Sequence, residues 1–162
     1  MFLNLNDDCL LQIFQMLPLR DQLNLMDVSE RFHYLIVNYI WSNRYRDIHT
    51  QMKCFQPLSL HQYKKFFQYN KENIQKLQID DVNNFVYVYN TNRSTNRPDY
   101  TFYFSLKMEN LKEFHCYDAR VHDGYMQLLN KNCPQLEVIH LRTNLVTLQH
   151  INEFKCLKEF KK

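Results

Sequence analysis

Glycine is almost absent from this 162-residue chain: Gly124 stands alone. Loops that hold a dinucleotide or a phosphate need several glycines so that the backbone can approach the ligand, so both are excluded. Four prolines leave no Pro-rich linker. No apolar run approaches the roughly 20 residues of a membrane span. Asp7 and Asp8 interrupt the first twenty residues, so no secretory leader is expected. The cysteines (Cys9, Cys54, Cys116, Cys133 and Cys156) are odd in number and have no close pair. Reduced thiols are expected, in the cytoplasm or the nucleus.

Apolar residues make up 45% of the chain, enough for a packed core. The length suits one ordinary domain or a small module with a second region. Residues 1–50 carry four Arg against six Asp and Glu, a net −2; residues 51–162 carry sixteen Lys and Arg against eleven acids, a net +5. A basic second part suits an acidic or phosphorylated partner. A solvated, mixed-charge surface is the plainer reading.

The densest signal lies between Leu5 and Trp41. Asn6 has the chemistry of an N-cap, with Asp7 and Asp8 in the first turn. Leu10, Ile13, Phe14 and Leu17 follow on one helical stripe, and Pro18 ends the helix. Leu23, Leu25, Met26 and Val28 mark a second short helix. Ser29 caps a third, with Phe32, Leu35, Ile36 and Tyr39 at i, i+3, i+4 and i+7. Segments this short hold too little core to bury so much apolar surface alone. Part of it is expected to rest on the rest of the chain and part on another protein. A plain helical subdomain docked on the second region is the competing reading.

The run Leu5-Asn6-Asp7-Asp8-Cys9-Leu10-Leu11-Gln12-Ile13-Phe14-Gln15-Met16-Leu17-Pro18-Leu19-Arg20-Asp21 resembles the opening of an F-box. Leu25 to Phe32 resembles its middle, and Trp41 its closing aromatic. The resemblance covers roughly residues 3–45. It departs from the family at Asn6 (usually Pro), Asp8 (Glu), Cys9 (Ile) and Ser29-Glu30-Arg31-Phe32 (Cys-x-Arg-Trp). It implies docking on the Skp linker protein of a cullin–RING ubiquitin ligase through Leu5, Leu10, Ile13, Phe14, Leu17, Pro18, Leu19, Leu25, Val28 and Phe32.

Residues 42–58 read as a connection, with Pro57 as a break. Ser59 caps a helix through Tyr69 with Leu60, Tyr63, Phe66 and Phe67 on one side. A template then recurs: Ile74-x-x-Leu77-x-Ile79, Leu111-x-x-Phe114-x-Cys116 and Leu136-x-x-Ile139-x-Leu141, with a fourth start at Leu157-x-x-Phe160. The steps are 37, 25 and 21 residues, and the later two suit a leucine-rich repeat. Alternation sends Phe114 and Cys116, like Ile139 and Leu141, to one face of a strand. Asp123 is a candidate cap for a helix holding Tyr125, Met126, Leu128 and Leu129, ended by Asn132-Cys133-Pro134, which resembles the cysteine-containing class of these repeats. The long first step contains Phe85–Tyr89 and Tyr100–Phe104, both of strand composition, as a hairpin or a degenerate repeat. The expected organisation is α+β: an F-box at 1–45, a helical linker at 46–73, and degenerate leucine-rich repeats with a parallel sheet at 74–162. Stopping inside a fourth copy suits a truncated product or a piece of a longer repeat protein.

Aligned strands would place Gln78, His115, His140 and Lys161 in one ladder, Asp80, Tyr117 and Arg142 in a second, and Lys76, Glu113, Val138 and Glu159 in a third. Gln78, Asp80, His115, Tyr117, His140 and Arg142 are the candidates for binding an unidentified target protein; a solvated sheet face is the alternative. His115 and His140 could approach each other, yet no third ligand has zinc-like spacing, so no metal is expected. No cofactor is implied. With no acid–base pair, activated cysteine or phosphate loop visible, no enzyme is expected, and what the resemblance implies is a non-enzymatic substrate-recognition adaptor. One alternative is a ligase-independent scaffold using the same repeats. Another is a nucleic-acid binder using the Tyr-rich second part, which only Arg93 and Arg97 would support; it predicts a steep salt dependence.

Overall fold

Helix α1 (Asp7–Met16) starts where the Asn6 side chain accepts the Cys9 N–H at 2.9 Å. The computed structural model describes residues 5–80, 101–117 and 121–162. Leu17 is extended, as a residue ahead of proline prefers, and α1 ends there. Pro18 is the N-cap of α2 (Leu19–Leu25). Ser29 caps α3 (Glu30–Leu35), accepting the Phe32 N–H at 3.2 Å.

Helix α3 runs on into a π-helical stretch, Ile36–Trp41, and one turn of α4 (Ser42–Arg44). The wider turn, bonded i to i+5, shifts the apolar stripe by one position. Ile40 and Trp41 are buried beside Phe32, Leu35 and Ile36, while Tyr39, expected on that stripe, is 47% exposed.

The sheet is parallel and runs in chain order: β1 (Asp47–His49), β2 (Lys76–Ile79), β3 (Glu113–Cys116), β4 (Val138–Leu141) and β5 (Glu159–Lys161). Strand β1 corrects the reading of residues 46–73 as a helical linker. Ile48 is its one buried side chain, too little for visible alternation. Its backbone is recruited by β2 instead: the Thr50 N–H donates to the Gln78 carbonyl at 3.0 Å, and the Gln75 N–H to the Arg46 carbonyl at 2.8 Å. The rest of that segment does hold a helix, α5 (Leu60–Asn70), started by a reciprocal Ser59–Gln62 capping box.

Thr101–Ser105 is a helix, α6, and not the strand expected there. Neighbouring aromatics are claimed by different elements. Phe104 packs on Phe114 of β3, and the Tyr103 hydroxyl meets the Tyr63 hydroxyl of α5 at 2.6 Å. A single helical turn serves both contacts, whereas a strand would send consecutive residues to opposite faces. Phe85–Tyr89 and Tyr100 lie outside the described residues.

Helix α7 (Asp123–Asn132) is capped by His122, whose Nδ1 accepts the Gly124 N–H at 3.2 Å, rather than by Asp123. Asp123 reaches instead to the start of α8 (Leu148–Ile151), accepting the Thr147 N–H at 2.8 Å and its hydroxyl at 3.0 Å. Those bonds, the backbone one first, hold its carboxyl below the ordinary range.

Leu77, Ile79, Phe114, Cys116, Ile139 and Leu141 are buried on the inner side of the sheet. Trp41, Tyr45, Phe55, Tyr63, Phe66 and Phe67 form an aromatic cluster in edge and tilted contacts that joins the N-terminal helices to α5. The buried Asn70 amide donates to the Tyr45 carbonyl at 2.9 Å, closing the cluster against β1. Among the described residues, no helix is long and apolar enough to cross a membrane.

Candidate partner-docking site

Proline at position 18 offers no N–H, so carbonyls at the end of α1 need other donors. Gln22 provides them. Its side-chain Nε2 donates to the carbonyls of Phe14 (2.9 Å) and Leu17 (3.1 Å), and its Oε1 accepts the Trp41 indole N–H at 2.8 Å. Because an indole N–H only donates, it fixes which end of the amide is the oxygen. Gln22 and Trp41 are both 0% exposed. Sequence reading passed over Gln22, although its place three residues after Leu19 and beside Leu23, on the buried side of α2, was the available signal.

The ten residues implied for linker docking fall into two groups. Leu10, Phe14, Leu19 and Phe32 are 0, 1, 2 and 3% exposed, and Phe14 meets Phe32 edge-on at 4.9 Å. These four pack inside the chain. Leu5, Ile13, Leu17 and Leu25 are half-buried, and Pro18 and Val28 are exposed. Met16, at the end of α1, is 87% exposed. The outward surface is therefore the rim of the three-helix unit, and the stripe itself supports it from behind.

Polar contacts fix that rim. The Arg31 guanidinium donates to the Asp7 carboxylate and to the Leu5 carbonyl, each at 2.6 Å, pinning the start of α3 to the start of α1. At the end of α2, Lys65 of α5 donates to the Leu23 carbonyl at 3.1 Å and to Asp27 at 2.5 Å. The cation thus sits at the negative end of the α2 dipole and ties α2 to α5. Beside it lies an open groove of about 530 Å³ lined by Met26, Asp27, Ser29, Glu30, His33 and Tyr34.

The second candidate surface is the polar side of the sheet. The strand register aligns Gln78 with His115, His115 with His140, and His140 with Lys161. His49 of β1 joins this row opposite Gln78, a residue the template did not reach. Asp80, Tyr117 and Arg142 follow one step further, where the Tyr117 N–H donates to the Ile79 carbonyl and the Arg142 N–H to the Cys116 carbonyl, both at 2.9 Å. All six target candidates therefore share one face. Lys76–Glu113 at 2.8 Å and Lys161–Glu159 at 2.5 Å are ion pairs on it, and His140 meets Glu159 at 2.9 Å and His49 meets Asp80 in polar contacts. Lys76 holds the Glu113 carboxyl below its ordinary range. Burial, with His140 and Lys76 nearby, lowers the pKa of His115.

Such a face can recognise a folded surface or a peptide by charge and hydrogen bonding. Nucleophilic chemistry has less to work with. Cys116 points into the core, and burial pushes the Cys133 thiol up to about 12. Among the described residues no group of three or more His, Cys, Asp or Glu is arranged to hold a metal ion.

Residues 2–40 match the family model of the F-box domain. The sheet lies outside that match. No curated protein and no solved structure matches the chain.

Proposed function

We propose that this chain, with its F-box domain at residues 2–40, is a substrate-recognition adaptor of a Skp–cullin–F-box ubiquitin ligase. The F-box docks on the Skp linker protein, and the polar sheet face holds a target protein for ubiquitin transfer. The transfer chemistry belongs to other subunits, and the adaptor works in the cytoplasm or the nucleus. The observation that carries this reading is the F-box match itself. Support comes from the apolar rim left outside the core: half-buried Leu5, Ile13, Leu17 and Leu25, with exposed Met16, Pro18 and Val28.

The strands after residue 74 are read as short leucine-rich repeats. The shared template and its parallel, in-register pairing support this. Gln78, Asp80, His115, Tyr117, His140 and Arg142 are the proposed target contacts. Mixing the purified chain with a Skp linker protein tests the first half of the proposal: co-elution as one complex is expected, and separate elution contradicts it. Target capture from a lysate, with wild type compared against His140→Ala/Arg142→Ala, tests the second. Loss of captured proteins in the variant is expected, and an unchanged set contradicts the assignment.

A further inference from the structure

We infer that Gln22 is a positioning residue for linker docking. It sets the geometry of the Leu17-Pro18-Leu19 turn and couples that turn to Trp41. The inference rests on the proposed docking of the F-box on the Skp linker. Three directed bonds converge on one buried amide: two to carbonyls at the end of α1 and one from the indole. Its backbone N–H also donates to the Pro18 carbonyl at 3.1 Å. The turn is therefore held from both sides of Pro18 by one residue that is 0% exposed and touches no partner. An apolar side chain would fill the space of Gln22 but would leave the Leu17 carbonyl and the indole N–H without these bonds. The turn would then lose its fixed angle relative to α2.

Trp41 extends the link. Its ring packs on Phe66 of α5 with centroids 5.0 Å apart and on Tyr45 at 6.3 Å. Hydrogen bonds in series polarise one another, so a partner seated at Leu17 and Pro18 is felt at the indole through the Gln22 amide.

Trp41 is the chain's sole tryptophan, so its indole N–H gives a single, unambiguous resonance. The test titrates ¹⁵N-labelled full chain with purified Skp linker protein, following the affinity in wild type, Gln22→Met and Trp41→Phe, and that resonance in wild type and Gln22→Met. Circular dichroism and thermal melting accompany each. In the wild type, the linker is expected to shift the indole resonance. Gln22→Met, still folded, is expected to bind at least tenfold more weakly and to lose the shift. Should Gln22→Met fail to fold, Trp41→Phe, which keeps a ring but removes the indole N–H, is expected to weaken binding several-fold. Full affinity in whichever folded variant is measured, or an indole resonance unmoved in the wild-type complex, overturns the inference and leaves the docking proposal standing. A wild type that binds no linker overturns both.

Discussion

The imidazole rings of His115 and His140 stand 4.4 Å apart on adjacent strands, with Nε2 of His140 2.9 Å from the Glu159 carboxylate and Nε2 of His115 3.5 Å from that of Glu113. Burial disfavours the charge on His115, the nearby His140 and Lys76 disfavour it further, and its pKa is lowered below 6.5.

The sign for stability follows. When the folded pKa is depressed, the unfolded chain binds more protons in the interval between the two values, so stability rises with pH there. The contribution is fully present above about 6.5 and is lost as pH falls through the folded value of His115. Thermal melts between pH 7.5 and 5.5 are expected to show a falling midpoint. In His115→Gln the slope over that interval is expected to flatten. An identical slope in the variant would show that this histidine does not carry the effect.

Core and rim of the F-box separate in stability. Phe32→Ala removes a ring that is 3% exposed and meets Phe14 edge-on, and a loss of about 3–5 kcal/mol is expected in urea unfolding. Val28→Ala alters a side chain that is 61% exposed, and a change within about 0.5 kcal/mol is expected. Equal effects at the two positions would mean that the rim is packed as tightly as the core.

Thiol labelling follows exposure and ionisation. Cys9 and Cys156 are exposed, whereas Cys116 and Cys133 are buried, with the Cys133 thiol pushed up to about 12 by burial. Under native conditions at pH 8, a disulfide reagent is expected to modify Cys9 and Cys156 promptly and Cys133 only after denaturant is added. Mass mapping of the labelled sites checks this, and prompt labelling of Cys133 would contradict its placement.

Much of this architecture was legible because it rests on local chemistry. Asn6, Ser29 and Ser59 cap the helices assigned to them, since a side-chain oxygen three residues ahead of an amide is a short-range feature. The register of Gln78, His115, His140 and Lys161 was legible because apolar positions recur at fixed offsets and the strands pair in parallel. What escaped depends on distant partners. Strand β1 has one buried residue and exists because β2 offers it hydrogen bonds. Residues 101–105 have the composition of a strand, yet Tyr63 and Phe114 draw them into a helix. The π-helical stretch moved Tyr39 outward and Ile40 inward without any breaker residue in the sequence. Among the proposed docking residues, the stripe was correctly apolar. Periodicity alone could not separate Leu10, Phe14, Leu19 and Phe32, which the chain buries itself, from the rim it leaves outside.

The central claim is that the F-box rim holds the Skp linker, and charge placed on that rim tests it most directly. Pro18 is the N-cap of α2 and Val28 is 61% exposed. Asp is favoured at an N-cap, so Pro18→Asp adds charge to the turn without weakening α2. Isothermal titration of the full chain with purified Skp linker protein is predicted to give a one-to-one complex for the wild type. For Pro18→Asp/Val28→Asp, at an unchanged melting temperature, it is predicted to give at least tenfold weaker binding. No heat of binding in the wild type, or equal affinity in the folded variant, would contradict the account.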